Sequence, residues 1–310
     1  MEHLSGVRIL VTGASGFLGS HVVPSLQAQG AVVYPVSRAN YDIRNEAEVL
    51  MATLLSRPDV IVHLAAPSPT LSQAIRFRET LQMGLNVAHA AAATGARLIF
   101  ALPDAIYPMG KEPALEEEFQ DATDGKLQDS RIRASRAVAW LIEEYRASSG
   151  LNALGVVLPI LYGPGDQRSV LAQSAYSLRV RKDEKSIGLQ KASFRLLHAS
   201  DASSAISGVC TKRDVEGLLN LPGALVEATD WTRHLLRGFG LQPGKPKIEW
   251  LKAEKSALPG QREMSGVKAA KLLPQDAQVD PETGLAQFAA WLDEKCFGMR
   301  PQPSLEGRGA

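Results

Sequence analysis

Gly13, Gly16 and Gly19 recur at every third position in the run Val11-Thr12-Gly13-Ala14-Ser15-Gly16-Phe17-Leu18-Gly19-Ser20. Glycines spaced this way, between a short apolar strand and the first turn of a helix, build an anion site. Backbone N–H groups and the positive end of the helix dipole converge on it. The pyrophosphate of a dinucleotide suits such a turn. Gly13 would permit the tight turn, Gly16 the close approach of phosphate, and Gly19 the packing of helix on strand. Ser15, Phe17 and Leu18 share the turn and are candidate cofactor contacts with the glycines. The competing interpretation is a glycine turn that holds no ligand.

A second strand, Ala31 to Val36, ends at Ser37-Arg38. A carboxylate at such an end holds the ribose 2′-hydroxyl of NAD, whereas an arginine suits the 2′-phosphate of NADP. Ser37 and Arg38 offer one guanidinium and no carboxylate, so NADP is favoured over NAD, although Arg38 as a plain loop cation would look the same. Pro58 to Ala66 is an apolar, β-branched run of the type buried in parallel sheets. Its small end, Leu64-Ala65-Ala66, leaves room for a ribose or a flat ring. Arg97 to Ala101 and Ala153 to Leu158 are further strands of this kind.

Strands alternate with helical stretches, which predicts an α/β fold with a doubly wound parallel sheet. The helices are expected over Gly16 to Gln29, Leu71 to Thr94 and Ser130 to Ser148. Pro24 should bend the first or remove one hydrogen bond. The third carries Ala134, Ala137, Val138, Leu141, Ile142 and Tyr145 on one face. Glu112 to Gln128 is acidic and aperiodic, a loop expected to cover the cleft, and its Glu116-Glu117-Glu118 run reads as a solvated face. Pro/Gly punctuation falls at Leu221-Pro222-Gly223, Gln242 to Pro246 and Leu258-Pro259-Gly260. The polar end, 300–310, reads as a flexible tail.

The 310 residues can bury a large core, and 45% apolar with 22% charged content is ordinary for a soluble protein. A net charge of +1 with mixed signs argues against a nucleic-acid partner. Cys210 and Cys296 make no disulfide framework and no metal spacing, which fits a reducing cytoplasm. Neither a signal peptide nor a membrane-spanning run is evident.

Taken in order, TGASGFLG, Tyr41-Asp42-Ile43-Arg44, PDVIVHLAA, Leu161-Tyr162-Gly163-Pro164-Gly165, Phe194 to Asp201 and the end region Glu282 to Leu292 resemble the extended short-chain dehydrogenase/reductase family. This is the NAD(P)-dependent epimerase/dehydratase group, and the similarity runs from about Val7 to about Leu292. It implies a Rossmann domain over 1–165 with a returning segment at 195–222. It implies a smaller substrate-binding domain from 166–194 and 223–299, oxidoreductase or isomerase activity on a small molecule, and a homodimer. Asp42 matches the family's adenine contact, with Ile43 beside it.

The departures bear on chemistry. The family uses a Ser or Thr and a Tyr-x-x-x-Lys helix, in which the tyrosine trades a proton and the lysine holds ribose and lowers the tyrosine pKa. Pro103 stands at the hydroxyl position, Ile132 at the tyrosine and Arg136 at the lysine. Neither Pro103 nor Ile132 can move a proton. Arg136 can bind ribose but does not titrate. Val157 and Ile160 replace polar residues around Pro159, which predicts a more apolar cleft. Asp104 and Tyr107 are the candidate replacement acids, set against a turn carboxylate and a structural tyrosine. His63 and His198 read as structural. Two classes of function follow. One is an enzyme with altered redox or non-redox chemistry on a substrate other than a nucleotide sugar. The other is a catalytically silent NADP-binding sensor or partner-binding protein.

Overall fold

The computed structural model describes residues 4–68, 70–108, 110–119, 129–180, 193–241, 262–273 and 278–297. The tail 300–310, the stretches 242–246 and 258–260, and 120–128 of the acidic loop lie outside the described residues.

Nine strands are described: β1 (Arg8–Thr12), β2 (Val32–Val36), β3 (Val60–His63), β4 (Arg97–Pro103), β5 (Ala153–Leu158), β6 (Ile160–Tyr162), β7 (Ser193–His198), β8 (Gly217–Asn220) and β9 (Ala224–Glu227). The helices are α1 (Phe17–Ala28), α2 (Glu46–Ser56), α3 (Gln73–Thr94), α4 (Ser130–Ser149), α5 (Val170–Val180), α6 (Ala199–Val209), α7 (Ala228–Gly238), α8 (Val267–Leu272) and α9 (Pro281–Phe297). Six strands make a parallel sheet in the order β2-β1-β3-β4-β5-β8. The doubly wound parallel sheet expected from the alternating pattern is present. The inner strands β1, β3 and β5 are buried on both faces, which is why they read as unbroken apolar runs, whereas the edge strand β2 is partly exposed.

The sheet order reverses at β1, which pairs with β2 on one side and with β3 on the other. The crevice at the carboxyl ends of such a pair is where open α/β sheets take ligands. Thr12 and His63 sit opposite each other at those ends.

The chain divides into two compact units. The first comprises 1–161, 199–223 and 260–278, and the second 162–198, 224–259 and 279–310. The described residues 262–273 thus fall with the sheet rather than with the smaller unit, to which the family resemblance assigned them. The cause is a clip. Ala114 N donates to Glu263 O at 2.7 Å and Ser265 N to Ala114 O at 2.9 Å. In the second unit β7 runs antiparallel to β9, and α7 packs on α9. Trp231 is fully buried there, edge-on to Phe194, and Arg179 Nε donates to Asp293 Oδ1 at 2.5 Å.

The α3–α4 pair sets the far side of the sheet. α3 starts at a Ser72 cap and stops at Gly95, and α4 starts at Asp129 and stops at Gly150, each stop in the left-handed region. The buried face of α4 is Ile132, Ala134, Val138, Ala139 and Ile142, and Ala137, Leu141 and Tyr145 are half-exposed. The apolar face expected from the sequence is present, with Ala134, Val138 and Ile142 buried, Tyr145 packed against the core, and Ala137 and Leu141 at its half-exposed margin. The crossing is close because Gly84 of α3 lies under Val138, whose two γ-carbons are each 2.8 Å from where a Cβ would be. Gly84→Ala is expected to cost about 1–3 kcal/mol by overpacking. In urea denaturation, Gly84→Ala with Val138→Ala should cost less than the two single changes added.

Candidate active site

The glycine turn joins β1 to α1. Gly13 has φ +71°, and a Cβ there would stand 2.6 Å from Ala65 N, against the strand-end backbone of Leu64-Ala65. A Cβ at Gly19 would stand 2.2 Å from Gly13 O. Both glycines are therefore required by the turn and by helix–strand packing. Gly16 differs, since its φ is −77° and a Cβ would meet only Gly13 O at 3.1 Å. It is exposed, as is Ser15, while Phe17 and Leu18 are half-buried. Gly16 caps α1 without a side-chain bond. The first N–H groups of the helix have no intrahelical acceptor by geometry, so the uncapped end is suited to an anion.

At the end of β3, Thr12 Oγ1 and His63 Nδ1 are 2.8 Å apart. Loss of hydration pushes the His63 pKa down to about 4, so the ring is neutral at pH 7. Leu64 N donates to Thr12 O at 3.1 Å, which ties the Leu64-Ala65-Ala66 end to the glycine turn.

The loop after β2 carries the charges. Asn40 shapes it, accepting from Ser37 N at 2.7 Å and donating to Pro35 O at 2.9 Å. Arg38 is exposed. Asp42 accepts from Arg44 Nη2 at 2.5 Å and from Arg44 Nε at 2.9 Å. These bonds hold the Asp42 carboxyl at about 2, well below the ordinary carboxylate value, with the fields of Arg44 and Arg38 adding to them against desolvation. Arg44 Nη1 also donates to Glu79 Oε1 on α3 at 2.8 Å. The Ile43 side chain belongs to the hydrophobic core. Arg44 and Glu79 were not among the expected site residues, because a lone acid in a helical stretch carries no local signal of what it meets.

At the end of β4, Pro103 is followed by a 3-10 turn, Asp104–Ile106, against which α4 packs. Asp104 is buried at the start of that turn. Tyr107 is buried, and its hydroxyl donates to Asn220 Oδ1 at 2.7 Å. Ile132 and Arg136 are buried on α4. Val157 is a core residue, so it does not line a cleft. His198 is buried edge-on to Tyr162 at 5.2 Å between centroids.

The acidic run after β4 is not merely a solvated face. Glu116 Oε1 accepts from Asn220 N at 3.1 Å. Glu118 takes Arg262 through both oxygens, at 2.6 and 3.1 Å, and the guanidinium holds that carboxyl below its usual range. Arg262 also donates to Glu112 O at 2.6 Å. The loop beyond Asp104 is thereby fastened to both 220 and 262.

A sequence model of the NAD dependent epimerase/dehydratase family matches residues 9–221. The chain belongs to that family. It is 31% identical over 266 residues to a 3-diazoavenalumate denitrifying reductase from a Streptomyces species, covering 76% of this chain and 83% of that one. Among solved structures, an epimerase from Methanothermobacter thermautotrophicus superposes with a TM-score of 0.80 at 18% identity, over 94% of each chain. A GDP-L-fucose synthetase from Naegleria fowleri bound to NADP superposes with a TM-score of 0.76 at 17% identity, over 96% of each. The uncapped α1 end and the glycine cradle fit the nicotinamide dinucleotide on which this family depends.

Gly16→Val should leave the fold intact and abolish dinucleotide binding, because its side chain would point into phosphate space. Gly13→Ala, at a positive φ against Ala65, should lose stability instead. Calorimetric titration beside thermal denaturation separates the two outcomes.

Proposed function

We propose that this chain is an NADP-accepting reductase that delivers hydride to a small substrate, not a nucleotide sugar, without a proton donor of its own. The observation that carries this reading is Pro103 at the end of β4 and Ile132 on α4, where the family's pattern has a hydroxyl and a tyrosine. When bound, the cofactor supplies a hydride. The chain's own residues bind and orient: the glycine turn takes pyrophosphate, Arg38 the 2′-phosphate, Asp42 the adenine edge and Arg136 the ribose hydroxyls.

A ketone reduced to an alcohol needs a proton on oxygen, and a positioned donor is worth about 10²–10⁴-fold in rate. A diazonium carbon makes no such demand. One C–H bond forms, the C–N bond breaks with its electrons leaving on nitrogen, and N2 departs. The likeness to a denitrifying reductase named for a diazo compound supports an electrophile of this class. Of the two candidate acids, Asp104 is buried in the turn after β4 and the Tyr107 hydroxyl is committed to Asn220, which fits a reaction that takes no proton from the protein.

With NADPH and a simple arenediazonium salt, N2 release and loss of nicotinamide absorbance should run together and well above the Gly16→Val background. The ketones of UDP-, GDP- and dTDP-sugars should turn over near background. Efficient reduction of any of these sugars would overturn the proposal, and binding without turnover of either class would favour a silent cofactor sensor.

The same reading makes the chain a homodimer through α3 and α4, in a reducing cytoplasm. Phe77, Leu81 and Leu85 of α3 form with Ala137 and Leu141 of α4 an open apolar trough of about 430 Å³. Contiguous apolar surface of this kind marks an interaction site. Leu81→Glu with Leu141→Glu should turn a dimer into a monomer in sedimentation velocity. A wild-type monomer at micromolar concentration would contradict it.

A further inference from the structure

The carboxylate that NAD-preferring sites place at the end of the second strand is missing from Ser37-Arg38, yet one arrives from another element. Glu79, on α3, is 8% exposed. Its Oε1 is bonded by Arg44, but its Oε2 is buried without a hydrogen-bond partner. Arg38 Nη2 lies 3.7 Å from that oxygen, and the Arg38 side chain is 59% exposed. This distance is too long for a hydrogen bond and short enough for attraction. Arg44 does not relieve the imbalance, because it already serves Asp42 as well as Glu79.

We infer that Glu79 is a cofactor-specificity residue that works against a 2′-phosphate by holding Arg38. The inference rests on the dinucleotide reading of the site. A 2′-phosphate must draw the Arg38 guanidinium outward to engage it. Doing so leaves Arg44, already shared with Asp42, as the cation facing Glu79, and the phosphate's own charge is repelled by the same carboxylate. A dinucleotide with a free 2′-hydroxyl makes neither demand. Glu79 therefore narrows the preference for NADP that Arg38 creates, and the wild-type chain accepts both dinucleotides.

Glu79→Gln keeps the shape and an acceptor for Arg44 and removes the charge. In calorimetric titrations it should tighten NADP by about three- to fivefold, the scale of a partly exposed ion pair, and leave NAD within twofold. Glu79→Asp, which shortens the side chain and draws the carboxylate back towards α3 and away from Arg38, should show the same trend more weakly and serves if the glutamine variant does not fold. In an Arg38→Ala background, which should itself weaken NADP selectively, Glu79→Gln should change NADP affinity by less than half as much. An unchanged or reduced NADP-to-NAD affinity ratio in both Glu79 variants would overturn the inference. Failure of the wild-type chain to bind either dinucleotide would instead sink the reading beneath it.

Discussion

The site depends on backbone approaching backbone where no Cβ can fit. Gly13 lies against the Leu64-Ala65 peptide, and Gly19 lies against the Gly13 carbonyl. These two contacts bring β1, α1 and the end of β3 to one point. Because the sheet order reverses at β1, that point is also the mouth of the crevice between diverging connections. The charged loop after β2 and the turn after β4 are attached to strands whose register this packing fixes. A residue larger than glycine at either contact would displace the ends of β1 and β3 from α1.

Around this frame, polar side chains are spent on holding loops as much as on chemistry. Asn40 shapes the loop that presents Arg38, and Arg44 fastens Asp42 to α3 through Glu79. Asn220 and Arg262 fasten the segment that follows Asp104. The result is a site rich in fixed charge at the end of β2. At the β4 end, the positions expected to handle protons hold proline and isoleucine. A hydride acceptor that expels its own leaving group suits such a site better than a carbonyl does.

Much of this could be read from the sequence, for physical reasons. Strands buried on both faces leave unbroken apolar runs, so β1, β3, β4 and β5 were visible, and the glycine spacing located the turn. The helices expected over Leu71 to Thr94 and Ser130 to Ser148 are found as α3 and α4. What escaped was set by partners distant in sequence. The clip between Ala114 and 263–265 moved 262–273 to the sheet unit, and no local pattern reports it. The α4 periodicity could not say that Val138 meets Gly84 while Leu141 is left half-exposed beside α3, because both lie on one helical repeat. Glu79 looked like any helix surface acid, yet folding buries it between two arginines.

The central claim is hydride delivery without a proton from the protein, and isotopes test it most directly. Turnover of an arenediazonium salt with NADPH deuterated at the transferable position should place deuterium on the carbon that lost nitrogen. The rate should be the same in H2O and D2O. Deuterium absent from that carbon, or a marked solvent isotope effect on the chemical step, would contradict the account.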